Sequence, residues 1–271
     1  MRRGVRRPAA AVRLAVVLAM HRTAWLASLM ATAIGAYVVS SAAEASGQLA
    51  AWRGSPFHGT APVGALFTSS NGKLGPHFCT ASVVSSPAGN LLITAAHCLQ
   101  GRSLTPAGSV VFAPGYHDGT FPYGTWTVRT EYVDAAWSKS QNPNDDVAFL
   151  VVGRKGTHIQ RDTGAETLKV DEPAQPVQVI GYPDQTNEPI SCTAPARTID
   201  QGRQMAFECD NYTDGTSGGP FLASVSARTG EGSVIGVIGG YQNGGDTPDV
   251  SYSPRFFSAI LALYQTAISG S

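Results

Sequence analysis

Between about residue 60 and residue 255 the chain is written in short apolar runs, each closed by Gly, Pro, Asn or Ser. The first series is Val63–Phe67, Cys79–Val84, Leu91–Thr94, Val110–Ala113, Trp126–Val133 and Val147–Val152. A second series is Val177–Gly181, Ile190–Thr198, Met205–Cys209, Phe221–Ala223 and Val234–Gly239. Runs of this length between turn residues are strands of a sandwich or barrel. The expected class is therefore all-β, with residues 59–153 and 174–255 as two β units and the polar, strand-poor residues 154–173 as a linker. No internal repeat is legible. Only the end breaks the rhythm: Phe256, Phe257, Ile260, Leu261 and Tyr264 recur at helical spacing after Pro254. That predicts an amphipathic helix over 256–271, packed on the second unit.

Three segments carry chemistry. Thr94-Ala95-Ala96-His97-Cys98 puts a histidine at the end of an apolar strand. Asn144-Asp145-Asp146-Val147-Ala148-Phe149-Leu150 puts an aspartate at the opening of a buried one. Gly215-Thr216-Ser217-Gly218-Gly219-Pro220 puts a serine among glycines, where the backbone bends tightly and its N–H groups can face a ligand. A serine hydroxyl is a poor nucleophile until a base takes its proton. An imidazole can serve as that base, and a carboxylate can hold the imidazole's tautomer. Other chain orders of this chemistry fail. The α/β-hydrolase order needs a histidine after the serine, and the last histidine here is His158. The subtilisin order needs an aspartate before the histidine, and the first aspartate, Asp118, follows His97. That order stays open only for His158, which has no strand-end motif. His58 and His117 lie in Gly/Pro loops, and His77 shares a strand with Cys79.

Together these motifs resemble the chymotrypsin-like (trypsin-like) serine peptidases, over residues 60 to 267. The resemblance implies two six-stranded antiparallel β-barrels with a C-terminal α-helix and a site in the cleft between the barrels. His97 and Asp146 would come from the first barrel and Ser217 from the second. Ser217 would be the nucleophile, His97 the general base and Asp146 the acid, with the N–H groups of Gly215 and Ser217 as the oxyanion hole. Asp146 is preferred to Asp145 because neighbours in an extended chain point to opposite sides. The family pattern also pairs Cys79 with Cys98, which leaves Cys192 to pair with Cys209. Asn211, six residues before the serine, would sit at the floor of the primary pocket, with Ile238-Gly239-Gly240-Tyr241 as its wall. An amide at the floor and an isoleucine where glutamate-specific relatives carry a histidine point to a neutral residue before the cleaved bond. Many animal members carry an aspartate just before the serine, as part of an activation switch. Here that residue is Thr216, so no such switch is expected.

Residues 1–45 read as a signal peptide. They carry six arginines, an apolar stretch from Ala24 to Val39 and the small-x-small site Ala43-Glu44-Ala45. The apolar stretch is short for a membrane span, which takes about 20 residues. Met20-His21-Arg22 would open a signal of ordinary length. A short pro-segment over 46–58 is compatible with the sequence. Six of the 19 Lys and Arg and one of the 19 Asp and Glu lie in the first 45 residues, leaving 13 basic against 18 acidic. A mildly acidic exported chain of 226 residues argues against nucleic acid and anionic membranes as partners. The expectation is a secreted monomer with no metal or organic cofactor, acting on protein or peptide substrates. A non-catalytic binding domain on the same scaffold and an esterase using the same site are the alternatives.

Overall fold

The computed structural model describes residues 52–106 and 108–271. The signal peptide and residues 46–51 of the candidate pro-segment lie outside the described residues.

The first series of apolar runs forms a closed barrel in the order β2-β3-β4-β7-β6-β5. Its strands are β2 (Val63–Ser70), β3 (Lys73–Val84), β4 (Leu91–Thr94), β5 (Val110–Pro114), β6 (Trp126–Val133) and β7 (Ala148–Gly153). Both faces of β4, β5 and β7 are buried, because one lines the barrel and the other is covered. Leu66, Ala81, Leu92, Phe112, Trp126 and Leu150 share one buried cluster. Val63, Phe67, Ile93 and Phe149 fall in a second, which also takes in Ile180, Tyr182, Leu222 and Val237 from the second half. The two halves are thus joined by a continuous apolar contact, which fixes the cleft between them.

The second half differs from the closed barrel expected of it. Its eight-stranded sheet follows an open path, β14-β11-β10-β9-β12-β13-β8, with β1 pairing β10 off that path. The strands are β1 (Ser55–Pro56), β8 (Thr167–Leu168), β9 (Pro176–Gly181), β10 (Ile190–Ile199), β11 (Gln204–Glu208), β12 (Pro220–Ala223), β13 (Ser233–Val237) and β14 (Val250–Pro254). The margin between β13 and β14 is bridged by a side chain: Val237 N–H donates to Ser253 Oγ at 2.9 Å. Beyond it, Gly239 N–H donates to the Tyr252 carbonyl at 2.9 Å. A serine hydroxyl therefore stands where a strand ladder would have closed the sheet.

Residues 52–58 form a strap on this second half. Gly54 N–H donates to the Asp210 carbonyl and Phe57 N–H to the Pro189 carbonyl, while Ser55 and Pro56 pair with Ser191 and Ile190. The segment 154–173 holds a short helix, Ile159–Thr163, and β8, which runs parallel to β13.

The C-terminal helix spans Ser258–Ser269, two residues later than the sequence suggests, and it packs on the first barrel rather than the second. Ile260, Leu263 and Ala267 join the cluster containing Phe149. The Tyr264 ring meets Phe149 edge-on at 5.7 Å, and its hydroxyl donates to the Ser85 carbonyl at 2.8 Å. Among the predicted stripe, Phe257 and Leu261 are exposed. The buried face runs through Ile260, Leu263 and Ala267 instead. Among the described residues no helix is long and apolar enough to cross a membrane.

Candidate active site

Strand register brings the histidine to the aspartate. β4 pairs with β7 so that Thr94 faces Ala148. His97 lies three residues beyond Thr94, and Asp146 two before Ala148, so an antiparallel pair delivers both to the same end. His97 Nδ1 is 2.7 Å from Asp146 Oδ2. The His97 backbone N–H donates to Oδ1 at 2.8 Å. A carboxylate accepts, so Nδ1 carries the hydrogen and Nε2 is left with a lone pair. Asp146 is fully buried. It accepts a third hydrogen bond, from Gly240 N–H at 2.8 Å, and this set of donors compensates its burial. Asp145 points elsewhere: its carboxylate accepts from Asn142 Nδ2 at 2.5 Å. Burial, helped by the charge of Asp134 and opposed by the Asn142 hydrogen bond, raises its pKa.

Ser217 sits on a loop clamped to the first barrel by Thr80. Strand β3 pairs with β4 only from Ser82 onward, so the Thr80 backbone edge is free. Thr80 N–H donates to the Ser217 carbonyl at 2.7 Å. Its hydroxyl donates to the Gly215 carbonyl at 3.0 Å and accepts from Tyr182 N–H at 2.9 Å. Its own carbonyl accepts from Thr94 Oγ1 at 2.7 Å. The next peptide back is also held, because the Asp214 carbonyl accepts from Asp184 N–H at 2.8 Å. In a trans peptide N–H and C=O point oppositely, so this bond turns the Gly215 N–H away from Asp184. Among the described residues no intramolecular acceptor takes the N–H of Gly215 or of Ser217. Gly215 has φ +90°, and a Cβ there would lie 2.6 Å from the Tyr182 carbonyl, so only glycine fits.

His97 and Ser217 line one cleft of about 590 Å³, together with Ile238, Gln185, Asp214 and Asp246. Among the described residues no hydrogen bond joins the His97 imidazole to the Ser217 hydroxyl. Such bonds are often long in unliganded sites and tighten when substrate binds.

The pocket residues inferred from sequence divide. Ile238 lines the cleft. Asn211 does not: its Nδ2 donates to the Gly54 carbonyl at 3.0 Å and its Oδ1 accepts from Arg53 at 3.1 Å. The strap captures the amide and turns it from the cavity. Gly239, Gly240 and Tyr241 also leave the wall. Gly239 and Gly240 roof Asp146 instead, and a Cβ on Gly239 would meet Asp146 Oδ2 at 2.9 Å. Tyr241 N–H donates to Gln204 Oε1 at 3.2 Å, while Gln204 Nε2 donates to the Pro143 carbonyl at 3.0 Å. Thr216 is buried, its hydroxyl bonded to the Thr213 carbonyl at 2.7 Å. His77 packs between Phe67 and Tyr116, away from the cleft. The disulfides are Cys79–Cys98 and Cys192–Cys209.

Thr80 and Gln204 carry no motif of their own, and Gly240, expected in the pocket wall, donates its N–H to Asp146 instead. Each acts through backbone contacts across long separations, which no local motif announces.

A family model described as the trypsin-like peptidase domain matches residues 79–237. The chain belongs to the trypsin-like peptidase family. Among solved structures, the domain is similar to a thermostable serine protease, AL20, from an extremophilic microorganism. The identity is 27%, the TM-score 0.65, and the match covers 78% of this chain and 99% of the other. The protease Anisep from Arthrobacter nicotinovorans shares the fold at 24% identity and TM-score 0.66, covering 80% of this chain and 99% of that one. A Glu endopeptidase shares it at 17% identity and TM-score 0.61, covering 82% and 99%. A Bacillus subtilis (strain 168) protein named extracellular metalloprotease is 26% identical over 164 residues, 58% of this chain and 49% of that protein. The chain thus matches about half the length of that curated relative.

Proposed function

We propose that this chain is an exported serine endopeptidase whose catalytic residues are His97, Asp146 and Ser217. What carries the reading is one observation: an imidazole bound at Nδ1 to a fully buried carboxylate lines the same cleft as Ser217. His97 Nε2 takes the Ser217 proton as Oγ attacks the scissile carbonyl carbon, and Asp146 stabilises the imidazolium that forms. The new oxyanion lies against the N–H groups of Gly215 and Ser217, each donor being worth about 3 kcal/mol in the transition state. Collapse breaks the C–N bond, and His97 returns the proton to the leaving amine. Water then repeats the sequence on the acyl-enzyme, giving back free Ser217 and a carboxylic acid product.

The cleft lining favours a neutral residue before the cleaved bond over an acidic one. Asp214 and Asp246 are in that lining, and no Lys or Arg is. We read the second sheet as the counterpart of the first barrel, its margins joined through Ser253. We read residues 1–45 as the export signal, 59–153 and 174–255 as the two barrels and 154–173 as their linker. The secreted form acts as a monomer. The strap 52–58 stays in place after export because it holds Asn211 and the edge of β10.

A serine-directed phosphonate should label the protein one to one at Ser217, and Ser217→Ala should take no label. Casein and peptide digestion completes the test. Labelling without digestion but with ester hydrolysis would make the protein an esterase; neither labelling nor hydrolysis would make it a binding domain.

A further inference from the structure

We propose that His58, His117 and Asp118 form a binding site for one borderline divalent cation of the zinc class, apart from the cleft that holds Ser217. One ligand atom from each of the three lies within 4.8 Å of the other two. His58 Nδ1 is 3.8 Å from Asp118 Oδ2. Two imidazole nitrogens and one carboxylate oxygen are the protein ligands of open zinc sites, where water takes the remaining position. Ca²⁺ would need several more oxygens than this cluster offers.

The orientation of His117 is a second, independent observation. Its Nδ1 lies 2.8 Å from the Gly115 carbonyl. A carbonyl only accepts, so Nδ1 carries the hydrogen and Nε2 keeps its lone pair. Metal-bound histidines are held in this way, their second nitrogen donating to a carbonyl or carboxylate that fixes tautomer and ring direction. The turn adds to the preparation. Asp118 and Gly119 have φ of +50° and +72°, and Thr120 N–H closes on the His117 carbonyl at 2.7 Å. That tight turn holds His117 and Asp118 side by side. Tetrahedral bonds of about 2.0–2.1 Å set ligand atoms roughly 3.3 Å apart, so closure asks for a movement on the order of 1.5 Å. His58 can supply it, since its side chain is 89% exposed.

A cation here would cross-link the strap to the first barrel. His58 follows Phe57, which is bonded to Pro189, and Asp118 N–H donates to the Asn187 carbonyl at 2.8 Å. Tyr116 also reaches that segment, donating to Asn187 Oδ1 at 2.7 Å. The site therefore closes a ring of three segments, two of whose joints are already made by hydrogen bonds to residues 187–191. It stabilises the fold and takes no part in acyl transfer.

The test is calorimetric titration of the full chain carrying Ser217→Ala, which cannot digest itself, with Zn²⁺ and with Ca²⁺. One Zn²⁺ should bind per chain. The unfolding midpoint should rise by about 5–10 °C at free Zn²⁺ a hundredfold above Kd, and Ca²⁺ should not raise it. His58→Ala, His117→Ala and Asp118→Asn should each weaken binding by about tenfold or more. His58→Ala, at an exposed position, should leave the metal-free midpoint unchanged. His97→Ala should bind as the parent does. No uptake of Zn²⁺ at several equivalents would overturn the proposal. So would binding that survives all three substitutions, or binding that is lost with His97→Ala.

Discussion

Removing one hydroxyl far from Ser217 in sequence should disable the oxyanion hole. The Thr80 hydroxyl holds the Gly215 carbonyl and the Tyr182 N–H, at 3.0 and 2.9 Å. The peptide it grips, Gly215–Thr216, lies between the two peptides whose N–H groups we propose as the oxyanion hole. Thr80→Val keeps the shape and leaves a buried acceptor and a buried donor unpaired. Each unpaired group costs about 1–3 kcal/mol, so stability should fall by about 2–6 kcal/mol. The freed peptide can rotate, which misaims its neighbours. Loss of one aligned donor is worth about 3 kcal/mol in the transition state, so kcat should fall by about 10²-fold with KM nearly unchanged. The assay is peptide hydrolysis normalised to active sites titrated with a phosphonate, beside thermal unfolding. Thr80→Ser keeps the hydroxyl and should recover most of the turnover. If Thr80→Val lowered the unfolding midpoint but turned over normally per titrated site, the clamp would be structural only. Equal losses in the Ser and Val variants would also refute the reasoning.

Three further outcomes follow from the same contacts. Asp146→Asn should lower kcat by about 10⁴-fold with the fold intact, whereas Asp145→Asn, which faces Asn142, should cost less than about tenfold; steady-state kinetics of the pair separates them. Asn211→Asp should bring no preference for Arg or Lys before the cleaved bond, because the side chain is bonded to Arg53 and Gly54 outside the cleft; a peptide panel reads this, and a gain for Arg or Lys would contradict it. Glu166 is buried and its pKa is pushed up to about 8, chiefly by desolvation, with the Gly232 N–H opposing and the Glu231 charge adding. A carboxyl raised in the folded state contributes stability that is fully present below its unfolded pKa of 4.5 and is lost as pH climbs to about 8. The whole interval is worth about 5 kcal/mol at most. Glu166→Gln should flatten the pH dependence of the unfolding midpoint between those limits, and parallel curves for the two proteins would exclude this role.

The limits of the sequence reading have physical causes. Strands β4, β5 and β7 of the first barrel are legible because they bury nearly all their residues and so read as unbroken apolar runs. Strand β14 is not, since its sequence is Val-Ser-Tyr-Ser-Pro and its buried positions include Ser251 and Ser253. Those serines are inside because Ser253 spans the open margin of the sheet, a demand set by a strand that lies elsewhere in the chain. The C-terminal helix shows the same limit. Its spacing gives the period, but which half it covers depends on where the chain emerges. The motif residues His97, Asp146 and Ser217 are legible because the chemistry restricts their types and order. The second layer is not: Thr80 looks like any strand threonine, and Gly240 acts through an N–H that every residue but proline owns.

Asn211 shows how such a layer can overrule a positional inference. Counting back from Ser217 along the chain assumes that the intervening backbone follows the family course and that nothing else competes for the side chain. Here the strap competes. Gly54 can approach the Asp210 carbonyl at 2.8 Å, and its own carbonyl then accepts from the Asn211 amide. Arg53 takes the remaining oxygen. Asn211 sits at φ +81°, a conformation asparagine tolerates better than most residues, and this turns its amide toward the strap. The identity of the residue is thus explained without any substrate. Selectivity has to come from the side chains that do line the cleft, among them Ile238, Asp214 and Asp246. Substituting these should redirect cleavage, whereas substitution of Asn211 should act on the attachment of the strap.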